Sequence, residues 1–189
     1  MRGFFRFSQF LAELAIFYIT SFLYNRGAFA DTSPEVIKMT LTQKEKSLIK
    51  DLVSQEKLCV DKYNKYSSEA CDSGLKKLFS DISQVESVHL NTLNEIGSGK
   101  VPQMNSSAKK PTAPKTAANY KTADRNKDQF LCHDALSSEK YVSSAYNTSI
   151  FEFTNMDVRN ALNHIQKEEQ EHGEQIYNFM AQNGMYKTK

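Results

Sequence analysis

Glu86-x-x-His89 and Glu169-x-x-His172 are the residues of this chain best suited to chemistry. Each pair follows a further glutamate, Glu56 or Glu139, at an interval of 30 residues between glutamates. Glu and His three apart leave a helix on the same side, so one pair can serve one ion while its carboxylate reaches a second. One Glu from each of two helices plus Glu-x-x-His from each of two others is the ligand set of a dinuclear carboxylate centre. Four carboxylates offer four negative charges, which two divalent ions neutralise, and oxygen-rich donors with two imidazoles suit Fe or Mn better than Zn or Cu. Burying those carboxylates unpaired would cost several kcal/mol each, roughly, and no Lys or Arg shares their stripe. A buried hydrogen-bond network of protonated Glu and neutral His, with no metal, stays open as the alternative.

Four amphipathic stretches must position these side chains. The first, about 43–70, carries Leu48, Leu52, Cys59, Tyr63, Tyr66 and Ala70 on one stripe with Glu56 in register. Cys71-Asp72-Ser73-Gly74 breaks it. The second, about 75–96, carries Leu75, Leu78, Ile82, Leu93 and Ile96 and ends at Gly97-Ser98-Gly99. The third, about 127–153, has Leu131, Ala135, Val142, Tyr146 and Phe153 inward. After a turn at Asn155-Met156-Asp157, the fourth, about 158–183, has Leu162, Ile165, Ile176 and Phe179. At 1.5 Å per residue the outward leg from Glu56 is about 22 Å and the return leg to Glu86 about 18 Å, so both reach one level. The second hairpin repeats the arithmetic. An offset of 83 residues superposes Glu56 on Glu139, Tyr63 on Tyr146, Ile82 on Ile165 and Glu86/His89 on Glu169/His172. The expectation is an all-α, four-helix bundle of two pseudo-symmetric hairpins with an approximate two-fold axis, joined by a long crossover as in ferritin-like folds.

Among other residues, Cys59 reads as a small buried hydrophobe, and Tyr63 and Tyr146 as packed core with satisfied hydroxyls. His133 and His164 fall outside the constellation, and Glu168 and Glu171 look solvated.

Composition agrees with helices: the 189 residues include only 7 Gly and 4 Pro, with 40% apolar and 24% charged residues. A net charge of +2 gives no reason to invoke nucleic acid. Three cysteines without a Cys-x-x-Cys pattern indicate neither a disulfide framework nor a zinc knuckle. The chain divides into an apolar extension 1–38, hairpin 39–97, a basic crossover 98–126 read as mobile, and hairpin 127–189. Lys100, Lys109, Lys110, Lys115, Lys121 and Arg125, with Lys127 at its end, make that crossover basic, a solvated linker or a contact for an acidic partner. In 1–38, Arg2 and Arg6 precede the apolar run Leu14–Tyr24, and Ala28-Phe29-Ala30 has the form of a cleavage site. A signal, a misplaced start ahead of Met39 and a structural extension stay open, whereas a stable membrane span needs about 20 apolar residues.

Leu136-Ser-Ser-Glu139-Lys-Tyr-Val-Ser-Ser-Ala-Tyr146 through Phe153, Leu162 through His172-Gly, and the terminal Asn183-Gly-Met-Tyr186 resemble the CotF family of spore coat proteins. The resemblance covers about 40–189 from Leu41-Thr-Gln-Lys-Glu45 and is most specific in the second hairpin. It implies a ferritin-like fold, synthesis in the mother-cell cytoplasm, a place in the endospore coat and Met39 as the start. Residues 1–38 depart from the family's pattern. Two functions follow. One is a structural coat protein that packs with other coat proteins or with itself, with two Fe or Mn ions held by Glu56, Glu86, His89, Glu139, Glu169 and His172. The other is a di-iron or di-manganese enzyme reducing peroxide or oxygen.

Overall fold

The computed structural model describes residues 39–100 and 109–186. The readings of 1–38 as a signal, misplaced start or extension lie outside these residues.

Four helices account for all the regular structure among the described residues: α1 (Gln43–Glu69), α2 (Ser73–Gly97), α3 (Thr122–Ile150) and α4 (Met156–Gln182). Capping chemistry sets most of their starts. Thr42 and Glu45 form a reciprocal capping box on α1, Asp72 accepts from Leu75 N, and Asn155 accepts from Asp157 N and Val158 N. Beyond α2 and α4, Gly99 (φ 83°) and Gly184 (φ 61°) take the left-handed conformation that closes a helix.

α1 packs along α2 and α3 along α4, and the hairpins meet through α2 against α4 and α1 against α3. This is the four-helix bundle expected from the periodicity. Its core includes Leu52, Tyr63, Leu75, Phe79, Ile82, Leu93, Tyr146, Leu162, Ile165 and Phe179. On α1, Ile49 is buried and Leu48 only half-buried, a small rotation from the stripe read in the sequence.

Two buried carboxylates latch the hairpins to each other. Asp128 on α3 accepts from Cys71 N (2.7 Å) and Asp72 N (2.9 Å) in the turn between α1 and α2. Glu45 on α1 accepts from Thr154 N (3.1 Å) in the turn between α3 and α4. Glu45 and Asp128 are 83 residues apart, as are Cys71 and Thr154, so the contacts are symmetry mates.

Residues 109–121 make hydrogen bonds to the bundle. Ala113 N donates to Gln175 and Ala118 N to Asn183, while the Tyr120 hydroxyl donates to Asp128. Lys110 pairs with Glu171 at 2.7 Å, so one crossover cation is satisfied within the chain. Pro114 lies on the first turn of α2: a Cβ on Gly74 would sit 2.7 Å from Pro114 Cγ, which is why glycine is needed there. α3 also begins at Thr122, earlier than its apolar stripe shows.

Candidate metal centre

The helix arithmetic brings all six predicted ligands together. Glu56 (α1), Glu86 and His89 (α2), Glu139 (α3), and Glu169 and His172 (α4) are each buried. Two groups form, Glu56, Glu86, His89 and Glu169, and Glu86, Glu139, Glu169 and His172. Within each group the candidate donor atoms lie within 4.8 Å of one another. Glu86 and Glu169 belong to both.

Two pairs of contacts repeat to about a tenth of an ångström, whereas a third, His89 Nδ1 to Glu86 Oε2 at 3.2 Å, has no counterpart between His172 and Glu169 among the described residues. His89 Nδ1 is 2.9 Å from Glu169 Oε1 and His172 Nδ1 is 3.0 Å from Glu86 Oε1. Each Nδ1 is 3.7 Å from its remaining glutamate, Glu56 Oε2 or Glu139 Oε2. The tyrosines cross over in the same way, the Tyr63 hydroxyl donating to Glu139 Oε1 and the Tyr146 hydroxyl to Glu56 Oε1.

The remaining donor atoms fit a pair of hard cations. Glu56 Oε2, Glu86 Oε1, Glu139 Oε2, both Glu169 oxygens and His172 Nδ1 are buried without a hydrogen-bond partner among the described residues. Several stand at hydrogen-bond distance from one another but lack the alignment, as Glu169 Oε1 does toward His89 Nδ1. Buried polar atoms left this way are rare in native proteins and point to a ligand. Carboxylate oxygens with imidazole nitrogens are the donors that iron and manganese take.

Without metal the cluster holds protons. Burial, then the Glu86 charge, pushes Glu56 up to about 8. Burial and the charges of Glu86, Glu56 and Glu139 push Glu169 well above the carboxylate range. Burial opposes ionisation of Glu86 too, but His172 and His89 overcome it and hold this carboxyl low. Burial likewise opposes charging of His172, yet Glu139 and Glu86 raise it to about 9. His89 is raised further against the same opposition, by Glu168, Glu169, Glu56 and Glu86 around it.

Glu168 is the residue the sequence reading missed. It is not solvated: Glu168 Oε2 lies 2.9 Å from His89 Nε2, and its side chain is 22% exposed. A second carboxylate beside Glu169 was the signal, but its partner stands on another helix. Glu171 pairs with Lys110. His133 is exposed, as expected, and His164 is half-buried with Nε2 3.4 Å from Glu168. Cys59 is buried beside the centre; burial, then the surrounding glutamates, keep its thiol protonated, and it joins neither ligand group.

The family model for the Coat F domain, that of the spore coat protein F family, matches residues 127–189. The matched segment is one third of the chain. It contains Glu139, Glu169 and His172, whereas Glu56, Glu86 and His89 come from the hairpin before it. No curated protein matches the chain. No helix among the described residues is long and apolar enough to cross a membrane.

Proposed function

We propose that this chain is a structural component of the bacterial endospore coat, made in the mother cell, and that its ferritin-like bundle holds a dinuclear Fe or Mn centre. The Coat F domain supports the coat role. The observation that carries the metal is the set of orphaned, buried Glu and His atoms sharing Glu86 and Glu169 between two ligand groups. Glu56 and His89 would hold one ion, Glu139 and His172 the other, with Glu86 and Glu169 between them. Tyr63 and Tyr146 each fix the outer glutamate of the opposite hairpin, so the first hairpin orients ligands of the second and conversely. Exposed Phe130, Tyr141 and Phe151 offer apolar contacts to other coat proteins or to further copies of the chain.

Elemental analysis of the full chain purified without chelator, beside Glu86→Ala/Glu169→Ala, tests the centre. About two Fe or Mn per chain, lost in the double variant, is the expected result from the shared ligand set. A chain that stays metal-free after anaerobic reconstitution, with its helices intact, would leave the glutamates as a protonated network.

One observation favours the second reading, a redox enzyme protecting the spore: Glu139 and Glu169 also line a surface groove between α3 and α4. Paired Fe or Mn supplies redox chemistry toward peroxide or oxygen. Peroxide consumption that vanishes on chelation and returns with Fe or Mn would support this reading, and a metal-loaded chain inert to both oxidants would exclude it.

A further inference from the structure

Most contacts among the inner ligands repeat about the two-fold axis, but their surroundings do not. His89 Nε2 is held by Glu168 on α4. Subtracting the 83-residue offset from Glu168 gives Val85 on α2, a buried residue whose side chain can accept no hydrogen bond. Accordingly His172 Nε2 has no hydrogen-bond partner among the described residues. A carboxylate on the outer nitrogen of a ligating histidine fixes its tautomer and ring orientation and raises its basicity. One histidine has that support and its mate does not.

The second asymmetry is access. The groove between α3 and α4 has a volume of about 420 Å³ and is lined by Leu136, Glu139, Ser143, Glu169 and Gly173, among others. Its wall includes two of the ligands. Gly173 stands against Glu139, where a Cβ would meet Glu139 Cβ at 3.7 Å in ordinary contact, so its missing side chain leaves usable space. The offset places Val60 and Leu90 where the groove has Ser143 and Gly173. The first hairpin therefore carries bulky apolar side chains at the positions that are small in the second.

We propose that the two metal positions are inequivalent: the Glu56–His89 position, latched by Glu168, retains its divalent ion, and the Glu139–His172 position exchanges its ion through the α3–α4 groove. This rests on reading the buried cluster as a dinuclear centre. Both asymmetries act in the same direction, one strengthening a histidine ligand in the first position, the other opening a path to the second.

The test is metal release from the full chain reconstituted with Mn(II), counted by elemental analysis and then followed after addition of excess chelator. Two ions per chain should leave in two phases whose rates differ by about tenfold or more. Glu168→Val, which copies Val85, should speed the slow phase by about 10–100-fold, the usual effect of losing such a partner, and leave the fast phase alone. Glu168→Gln, which keeps an acceptor oxygen, should restore part of the slow phase. Ser143→Val/Gly173→Leu, which copies the first hairpin, should slow the fast phase only, and Gly173→Ala should do so in smaller measure. A single release rate, or variants that move both phases together, would overturn the inequivalence while leaving the dinuclear centre standing. A chain that binds no Mn(II) would overturn both at once, and the metal count before release separates that result from the kinetic one.

Discussion

Two sets of buried carboxylates obey the same internal symmetry and are stabilised in opposite ways. Near the turns, Glu45 and Asp128 accept backbone N–H groups from the facing hairpin. At mid-bundle, Glu56, Glu86, Glu139 and Glu169 face one another and two histidines, and oxygens of all four lack a hydrogen-bond partner among the described residues. Charged acceptors bonded to backbone amides fully explain their own burial. Carboxylates crowded against carboxylates do not, and without metal their burial depends on the raised pKa values of Glu56 and Glu169 and of the histidines beside them. The contrast separates a structural acid from a ligating one more sharply than burial alone, since both sets are equally inaccessible.

The largest difference between the sets is expected from Asp128→Ala and Glu169→Gln. Asp128→Ala strips the acceptor from two part-buried backbone amides and the Tyr120 hydroxyl and should cost about 3 kcal/mol in denaturant unfolding, with or without metal. Glu169→Gln replaces a carboxyl that burial and like charges already keep protonated. It should change metal-free stability by under about 1 kcal/mol, as volume-conserving swaps do, yet abolish binding of both ions. Equal destabilisation by the two would erase the distinction.

A smaller effect concerns pH. Glu56 at about 8 and His172 at about 9 lie above their ordinary values of 4.5 and 6.5. Groups raised on folding contribute stability that is fully present below the unfolded value and lost as pH rises through the folded one. The lowered Glu86 contributes in the other sense, its share being lost as the pH falls below the carboxylate range. The metal-free chain should therefore lose thermal stability between roughly pH 6 and 9. Metal uptake requires the same protons to leave, so Mn(II) affinity should rise over that range. Melting temperatures at both pH values, with and without Mn(II), check this, and parallel curves would count against a ligating cluster.

The smallest effect lies away from both sets. Gly74→Ala must displace Pro114 and should cost about 1–2 kcal/mol by overpacking, read from the denaturation midpoint. No loss would mean that residues 109–121 do not hold the first turn of α2.

The buried Glu and His cluster was legible because a helix converts spacing into position, so equal 30-residue intervals could be read as one level of the bundle. Glu168 was not, since nothing at one step from Glu169 marks which neighbouring helix it faces. Glu45 and Asp128 obey the 83-residue offset as well, but an acidic residue in a first turn, or among Asn126 and Lys127, looks solvated until the opposite turn is seen against it. The start of α3 was hidden for a related reason: Thr122 to Lys127 is nearly all polar, and Lys121 provides no side-chain cap. Pro114 on Gly74 joins two distant residues and leaves no period in either segment. Local repetition was readable, whereas single long-range fits were not.

The crossing of the two latches has the form of an isologous interface, in which each partner gives the other the same residues it receives. In this chain the partners are successive hairpins, so the molecule is organised like a two-fold dimer tied into one polypeptide. Either hairpin alone would expose an unlatched turn, present half of a ligand set, and leave its tyrosine without the glutamate it was shaped to meet.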